Sequence, residues 1–226
     1  MAILSPLDEV GWLSSQPERF QEWAARVGKW KVYNKAEALY QADRRPDALY
    51  GLAQGCLEIS VPVKDGELVS IYFAEPGFWI GESAILSQAK RAISLSAAAE
   101  SRLFRISAED ILALLEREPA FWTCFYALSH ENTSLAIREY ANALILSPKA
   151  HLCEILIRLS KSAPSVAITQ DQVAKLLGVT RSTVQRLLSD LVEKEAISLS
   201  YASIHVIDRK KLFILSRSHK EKNDLI

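Results

Sequence analysis

Long hydrophobic runs and paired cysteines are both missing from this sequence. No stretch of about 18 apolar residues occurs, so we expect no membrane-spanning helix. Cys56, Cys124 and Cys153 lie far apart and form no Cys-x-x-Cys pair, which argues against a cysteine zinc site or an iron–sulfur cluster. Because the first residues also lack the basic start and apolar core of a signal peptide, we expect reduced thiols in a cytoplasmic protein.

Motifs of enzymes and of haem proteins are missing too. The sequence has no Ser-His-Asp spacing, no His-rich metal motif and no P-loop, so we expect neither an enzyme nor a bound metal. A haem would need an axial His or Cys. His130, His151 and Cys56 are candidates, but their spacing singles out none of them, and a lone helical His usually has a structural role.

The net charge is zero at pH 7, but the charges are unevenly distributed along the chain. Residues 1–160 contain 16 Lys and Arg against 20 Asp and Glu, whereas residues 161–226 contain 11 against 7. A basic C-terminal third is compatible with nucleic-acid binding. The basic runs at 209–211 and 220–222 are equally explained as a solvated tail, so charge alone does not decide the question.

Residues 168–195 have the pattern of two helices joined by a tight turn. Thr169 is placed to cap the first helix, with Gln172 three residues on as its capping-box partner. Gly178 stands where the turn needs a positive φ, and Thr180 is placed to cap the second helix. The pattern predicts a helix-turn-helix, although two ordinary amphipathic helices with a glycine turn would share part of it.

The second predicted helix carries a polar and basic edge opposite its apolar face. Such an edge suits a helix that enters the DNA major groove, where Arg reads guanine and Gln reads adenine. Threonine hydroxyls near the helix starts are better placed for phosphates. The expected base-reading residues are Arg181, Ser182, Gln185 and Arg186, and the expected phosphate contacts are Thr169, Thr180 and Thr183.

Between residues 29 and 106 the sequence changes to short strands separated by turns. Lys-Asp-Gly-Glu at 64–67 is a strong hairpin signal. Many short strands at this spacing predict a β-sandwich or β-roll rather than βαβ units. Apolar residues recur at helical intervals over residues 7–26, which predicts short helices before the strands.

Residues 76–86, Pro-Gly-Phe-Trp-Ile-Gly-Glu-Ser-Ala-Ile-Leu, lie in this strand region, with Arg91 five residues further on. With the glycine-bounded strands and the later helix-turn-helix, this segment resembles the cyclic AMP receptor protein/fumarate-nitrate regulator (Crp/Fnr) family of bacterial transcription factors. The resemblance covers nearly the whole chain and implies an α+β fold. It implies a cyclic-nucleotide-binding-like β-roll sensor domain with flanking helices over 1–118, a long dimerisation helix over 119–147 and a winged helix-turn-helix over 148–226.

The resemblance also implies an effector-binding site in the β-roll. Gly81 and the backbone amides after it, with Ser83 among them, would line a phosphate. Glu82 would accept a hydrogen bond from a ribose hydroxyl. Arg91 would pair with the phosphate, because its planar guanidinium meets two oxygens at once.

Two departures from the family pattern leave the effector open. Ala92 stands where cyclic-nucleotide binders usually have Ser or Thr, and residues 135–137 read Leu-Ala-Ile where the binders have a Thr-Ser pair. A phosphate buried without its full set of donors is costly. A cyclic nucleotide, another small effector and no effector all stay open, as does a structural salt bridge between Glu82 and Arg91.

A long helix is predicted from Pro119 to about Leu146, spanning roughly 40 Å, after a shorter helix that Ser107 caps. It has two apolar faces, one facing the β-roll and the other facing the same helix of a second chain, although burial within one subunit is an alternative. One set is Ile137, Tyr140, Ala141 and Leu144; the other is Leu128, Leu135, Ala136 and Ile145.

The expected function is sequence-specific binding of double-stranded DNA by a homodimer, under the control of a small molecule in the β-roll. Alternating residues at 197–200 and 203–206 predict a two-stranded wing, and Asp208 is placed to cap a last helix. The resemblance implies RNA polymerase as a further partner. The rival function is a signal-binding module whose helix-turn-helix contacts protein instead of DNA.

Overall fold

The computed structural model describes residues 4–161, 163–166, 168–200 and 203–217. It divides the chain into two compact units, residues 1–136 and 137–226. The boundary between these units falls within a long helix. The expected division into residues 1–118, 119–147 and 148–226 therefore stays a prediction. The basic run at 220–222 lies outside the described residues.

The first unit is built on two four-stranded antiparallel sheets, which confirms the β-roll prediction and excludes βαβ units. Its strands are β1 (Lys29–Tyr33), β2 (Ala38–Tyr40), β3 (Ala48–Gln54), β4 (Leu57–Pro62), β5 (Leu68–Ala74), β6 (Trp79–Ile80), β7 (Ser94–Ala97) and β8 (Ser101–Ser107). The sheet orders are β1-β8-β3-β6 and β2-β7-β4-β5. The 64–67 hairpin signal is confirmed, because β4 pairs with β5 from Leu57↔Ala74 to Pro62↔Leu68.

Helices lie before, between and after these strands. They are α1 (Glu18–Val27), α2 (Glu82–Ser87), α3 (Ala108–Arg117) and α4 (Trp122–Ile145), with short 3-10 helices at Trp12–Ser15, Lys64–Gly66 and Pro119–Phe121. The Ser107 cap is confirmed, since its side chain accepts a hydrogen bond from the Asp110 amide. The predicted start of the long helix was three residues early, because Pro119–Phe121 form a 3-10 turn. The 24 residues of α4 span about 36 Å.

Two clusters of buried side chains fill the first unit. One lies inside the roll and includes Tyr50, Leu52 and Leu103. The other lies between strands and helices. There the Trp12 ring packs edge-on against the Trp79 ring, with 5.3 Å between the ring centroids. Trp12 Nε1 also donates a hydrogen bond to the Cys124 carbonyl oxygen at 2.7 Å. This second cluster fixes the start of α4 against the strands that carry the predicted effector site.

The two apolar faces predicted for α4 are only partly correct. Leu128 is buried and Leu135 packs against the interior of the roll, as expected. Ala136 and Ile145, assigned to the same face, are exposed, because they lie away from Leu128 and Leu135 around the helix. The other predicted set stays largely uncovered, with Ile137, Tyr140 and Leu144 exposed and Ala141 half-buried.

The second unit combines helices with a small sheet. After the C-terminal part of α4 come α5 (Pro148–Leu159), β9 (Ser165–Val166), α6 (Gln170–Leu177), α7 (Arg181–Glu193), β10 (Ile197–Ser200), β11 (Ser203–Val206) and α8 (Arg209–Arg217). The predicted wing is confirmed, because β10 pairs with β11. β9 was not predicted; it pairs with β11 and adds a third strand to the sheet. Asp208 caps α8 by accepting from the Lys210 and Lys211 amides.

In the part of the chain that the structure describes, each helix falls short of the length and hydrophobicity needed to cross a bilayer.

Candidate functional sites

The helix-turn-helix of α6 and α7 has the local geometry that its sequence predicts. Thr169 Oγ1 accepts from the Gln172 amide at 3.2 Å, and Gln172 Oε1 accepts from the Thr169 amide at 2.9 Å, which completes the capping box. Gly178 ends α6 at φ 63°, a left-handed conformation that favours glycine. Thr180 then caps α7 by accepting from the Thr183 amide at 3.2 Å. These three hydrogen bonds and the turn at Gly178 define where α6 begins and ends and where α7 begins.

Buried aliphatic side chains decide which edge of α7 faces solvent. Val184, Leu188 and Leu191 are fully buried, as is Val173 on α6. Because these positions repeat at helical spacing, the opposite edge of α7 is directed outward. The predicted base-reading residues all lie on this exposed edge: Arg181, Ser182, Gln185 and Arg186.

Local contacts on the exposed edge are weak enough for DNA to replace. Arg181 Nη1 lies 3.4 Å from Asp171 Oδ1, and both side chains are more than 60% exposed, so this pair contributes little to stability. The Thr180 hydroxyl contacts the Ser182 hydroxyl at 2.9 Å and the Thr183 hydroxyl at 3.0 Å. Arg186 has no ion-pair partner among the described residues, which leaves its guanidinium available for base edges.

Replacing Thr169 by Ala is expected to lower the free energy of unfolding of the second unit by about 1 kcal/mol. The change removes the oxygen that accepts from the Gln172 amide, so one orphan donor of α6 loses its partner. Urea unfolding followed by the circular dichroism of the full chain measures the loss. Thr169→Ser keeps the accepting oxygen and serves as the control; an equal loss in both variants would contradict a capping role.

Glu82 is a buried carboxylate held by donors from two parts of the first unit. It is 3% exposed; Oε2 accepts from the Gly81 amide at 3.0 Å, and Oε1 accepts from Asn132 Nδ2 at 3.1 Å and Ser129 Oγ at 3.3 Å. Asn132 Nδ2 also donates to the Trp79 carbonyl oxygen at 3.1 Å. The carboxylate therefore ties the start of α2 to α4.

Burial raises the pKa of the Glu82 carboxyl, and the hydrogen bonds from Asn132, Ser129 and Gly81 only partly oppose this rise. Because the pKa is higher in the folded state than in the unfolded state, ionised Glu82 costs stability at neutral pH. The cost shrinks as the pH falls through the folded-state pKa and is absent below the unfolded-state value.

Glu82→Gln is therefore expected to change the pH dependence of stability. The stability of the variant relative to the wild type should fall on acidification, because only the wild type loses the cost of an ionised Glu82. Urea unfolding of both proteins from about pH 7 to about pH 4, which reaches below the ordinary carboxyl pKa, measures the difference. Glu67→Gln, at an exposed hairpin position, is the matched control. Parallel pH curves for wild type and Glu82→Gln would contradict the burial argument.

Arg91 is buried a short distance away, with partners other than Glu82. Its Nη2 donates to Asp47 Oδ1 at 2.9 Å and to the Ala48 carbonyl oxygen at 2.7 Å, and its guanidinium carbon lies 3.7 Å from the centroid of the Tyr40 ring. The alternative of a Glu82–Arg91 salt bridge is therefore wrong. The pairing differs because the start of β3 brings Asp47 to Arg91, whereas Glu82 turns toward α4.

The residues expected to bind an effector separate into a buried group and an exposed group. Gly81, Glu82 and Arg91 are buried together; a Cβ on Gly81 would lie 2.8 Å from the Ala48 carbonyl oxygen and 3.2 Å from Arg91 Nη1. Ser83 and Ala92 are exposed. Four side chains that contact the buried group were not predicted, because they come from distant positions with no local signal: Tyr40, Asp47, Ser129 and Asn132.

The haem candidates do not converge in the structure. Among the described residues there is no group of three or more His, Cys, Asp or Glu side chains that could hold a metal ion. His151 is largely buried, with Nε2 4.0 Å from Glu139 Oε2. Burial, followed by the nearby positive charge of Arg158, lowers the pKa of His151, so its imidazole is neutral at pH 7.

Comparison with known proteins assigns both units. A family model described as a cyclic nucleotide-binding domain matches residues 30–118, and one described as a Crp-like helix-turn-helix domain matches residues 150–213. The chain belongs to the Crp/Fnr family of transcription regulators. The first match includes the β-roll around Arg91, and the second includes the exposed edge of α7.

The Crp/Fnr relatives are distant in sequence. The chain is 24% identical over 178 residues to the cyclic AMP receptor protein of Thermus thermophilus, covering 78% of this chain and 82% of the relative. It is 24% identical over 208 residues to the transcriptional activatory protein AadR of Rhodopseudomonas palustris, covering 88% and 84%. A CRP/FNR-family transcriptional regulator whose structure was solved from Thermus thermophilus has the same fold, with a TM-score of 0.67 at 20% identity, covering 84% of this chain and 100% of that structure.

Membership of the Crp/Fnr family settles the function at a coarse level. The protein is a transcription regulator with a DNA-binding helix-turn-helix and a cyclic-nucleotide-binding type of sensor domain. The relatives are regulators rather than enzymes. Nothing in these matches favours the rival function, in which the helix-turn-helix contacts protein only.

Proposed function

We propose that this Crp/Fnr protein is a cytoplasmic homodimer that binds specific double-stranded DNA sites through α7 and responds to a small effector in the β-roll. The observation that carries the proposal is the exposed polar edge of α7 over a fully buried aliphatic core. Arg181, Ser182, Gln185 and Arg186 read bases, and Thr169, Thr180 and Thr183 contact phosphates. The relative named as an activatory protein supports a further contact with RNA polymerase.

The homodimer is supported by a regular series of exposed positions along α4. These positions follow one another at spacings of four and three residues, which is the repeat of a coiled-coil seam. They are Tyr126, His130, Thr133, Ile137, Tyr140 and Leu144. Four of them are large apolar or aromatic side chains with exposures of 65–74%, an arrangement that a second copy of α4 would cover.

Pairing through α4 gives the DNA interface its symmetry. A two-fold dimer would present two copies of α7 to half-sites about 34 Å apart, which is one turn of B-DNA. Each half-site would then contribute a separate set of base contacts. The expected DNA target is therefore an approximate inverted repeat.

The effector is proposed to lie among Gly81, Glu82 and Arg91, with Ser83 and Ala92 at the exposed margin. One relative is named a cyclic AMP receptor protein, which makes cyclic nucleotides the first class to test. Binding would act on α4 through the hydrogen bonds that join Glu82 to Ser129 and Asn132. An effector changes DNA affinity only if it binds the two conformational states unequally.

A selection from genomic DNA tests the proposal. The full chain is incubated with random genomic DNA fragments, with and without a small-molecule extract. The fragments that stay bound to the protein are sequenced, and their binding is measured again by gel shift. We expect an enriched inverted repeat whose affinity exceeds that of random DNA by at least about a thousandfold. Binding that falls steeply with salt yet is equal on all fragments would contradict sequence-specific regulation.

A further inference from the structure

Arg91 is a buried cation that forms an ion pair with a carboxylate of the same chain. Its side chain is 2% exposed, and its bond to Asp47 Oδ1 at 2.9 Å is an ion pair. The ring of Tyr40 covers the guanidinium at 3.7 Å. Arg91 Nε is buried with no hydrogen-bond partner among the described residues. The guanidinium therefore keeps a buried Nε donor that its present neighbours do not use, although Asp47 already forms an ion pair with it.

Asp47 occupies a more open position than its partner. Its side chain is 50% exposed, and Oδ2 accepts from Tyr50 Oη at 2.9 Å and from Arg105 Nη2 at 3.2 Å. Burial alone would raise the pKa of the Asp47 carboxyl, but hydrogen bonds from Arg91, Tyr50 and Arg105 outweigh it and lower the pKa. The carboxylate is thus ionised at neutral pH, and it can turn toward solvent without entering the core.

We propose that Asp47 is a built-in counter-anion of Arg91, which a phosphate-bearing effector must displace before Arg91 can bind it. The proposal rests on effector control through the β-roll and adds that residue 47 sets the affinity of this site for phosphate. A phosphate that approaches Arg91 meets a carboxylate on the same nitrogen, so like charges oppose its binding. An effector that leaves the Asp47–Arg91 pair intact does not meet this repulsion. Asp47 therefore selects against phosphodiesters such as cyclic nucleotides.

Calorimetric titration of the full chain with cyclic AMP tests the role of Asp47. Asp47→Asn keeps the shape of the side chain and an oxygen that accepts from Arg91, but it removes the competing charge. We expect this variant to bind cyclic AMP at least about tenfold more tightly than the wild type. Equal affinities in the two proteins would overturn the proposal.

Asp43→Asn is the matched control for the change of charge. It removes a carboxylate from the same turn, but this carboxylate pairs with Lys90 at 3.0 Å on the surface, and both side chains are exposed. The left-handed backbone of Asp43, at φ 67°, also suits Asn. We expect its cyclic AMP affinity to stay within about twofold of the wild type. An equal gain in Asp43→Asn and Asp47→Asn would attribute the effect to overall charge and overturn the proposal.

Two more measurements separate the charge from other effects of the substitution. Adenosine has no phosphate, so Asp47→Asn should not bind it more tightly; a gain equal to that for cyclic AMP would overturn the proposal.

Tyr50→Phe removes one donor that holds Asp47 and changes no charge, so a gain of about threefold in cyclic AMP affinity is expected. If Asp47→Asn does not fold, Tyr50→Phe decides the result, and a folded Tyr50→Phe protein without a gain would contradict the proposal.

The outcome is distinguishable from failure of the proposed function. Suppose that the wild-type protein binds an enriched DNA repeat but Asp47→Asn gains no affinity for cyclic AMP. This result would contradict only the role of Asp47. Wild-type protein without any preferred DNA sequence contradicts the regulator function, whatever residue 47 does to the binding of cyclic AMP.

Discussion

Leu144→Asp, combined with Ile137→Asp, is expected to convert the proposed dimer into monomers and to lower the affinity for an inverted-repeat DNA site by about a hundredfold. Both residues lie on the exposed seam of α4, at 69% and 65% exposure, and a second copy of the helix would bury them. Two carboxylates per chain in that seam would be desolvated and would repel their symmetry mates. Without the dimer, the second half-site no longer contributes to binding.

Sedimentation equilibrium measures the dimer, and gel shift measures the DNA affinity of the same preparation. Ile145→Asp is the matched control, because it also replaces an exposed aliphatic residue by Asp, one position off the seam. We expect this control to remain dimeric. A double variant that stays dimeric, or a control that dissociates equally, would contradict pairing through this seam.

Arg186→Ala is expected to weaken binding to the preferred DNA site by about 1–3 kcal/mol and to relax the base preference at one position of each half-site. Arg186 is exposed on α7, where its guanidinium can donate two hydrogen bonds to the O6 and N7 atoms of guanine. Removing a base contact costs affinity only where that base is present. The affinity for random DNA should therefore change much less.

Fluorescence titrations with the preferred site, with single-base variants of it and with random DNA measure this effect. Arg217→Ala removes the same charge from α8, where the Arg217 guanidinium lies over the Phe213 ring at 4.2 Å, and serves as the charge control. An equal loss on the preferred site and on random DNA would mean that Arg186 contacts phosphate instead of a base.

Most of the fold was predictable because its signals are local in sequence. The caps of α3, α6 and α7 lie within three residues of the amides they satisfy, and Gly178 directly follows the helix that it ends. The elements that were missed have weak local signals. β6 and β9 contain two residues each, and α2 is a helix of only six residues within the region predicted to form strands.

The edge of α7 proposed to read DNA and the proposed effector site differ in how far the sequence predicted them. On α7, helical periodicity alone separates buried Val184 and Leu188 from exposed Arg186. In the β-roll, the resemblance pointed to Glu82 and Arg91, but it did not supply their partners. The structure brings together the buried group and exposes Ser83 and Ala92, so the predicted set forms one site only in part.

Local patterns in the sequence were sufficient for the short strands of the first unit, the helix-turn-helix and the outward edge of α7, because periodicity, caps and glycine turns act between residues a few positions apart. The partners of the buried charged groups Glu82 and Arg91, in contrast, depend on tertiary packing. Arg91 meets Asp47 across 44 residues, and Glu82 meets Asn132 across 50 residues. Such pairs depend on how strands and helices pack, since a buried charge takes whichever partner the surrounding backbone brings within hydrogen-bond distance.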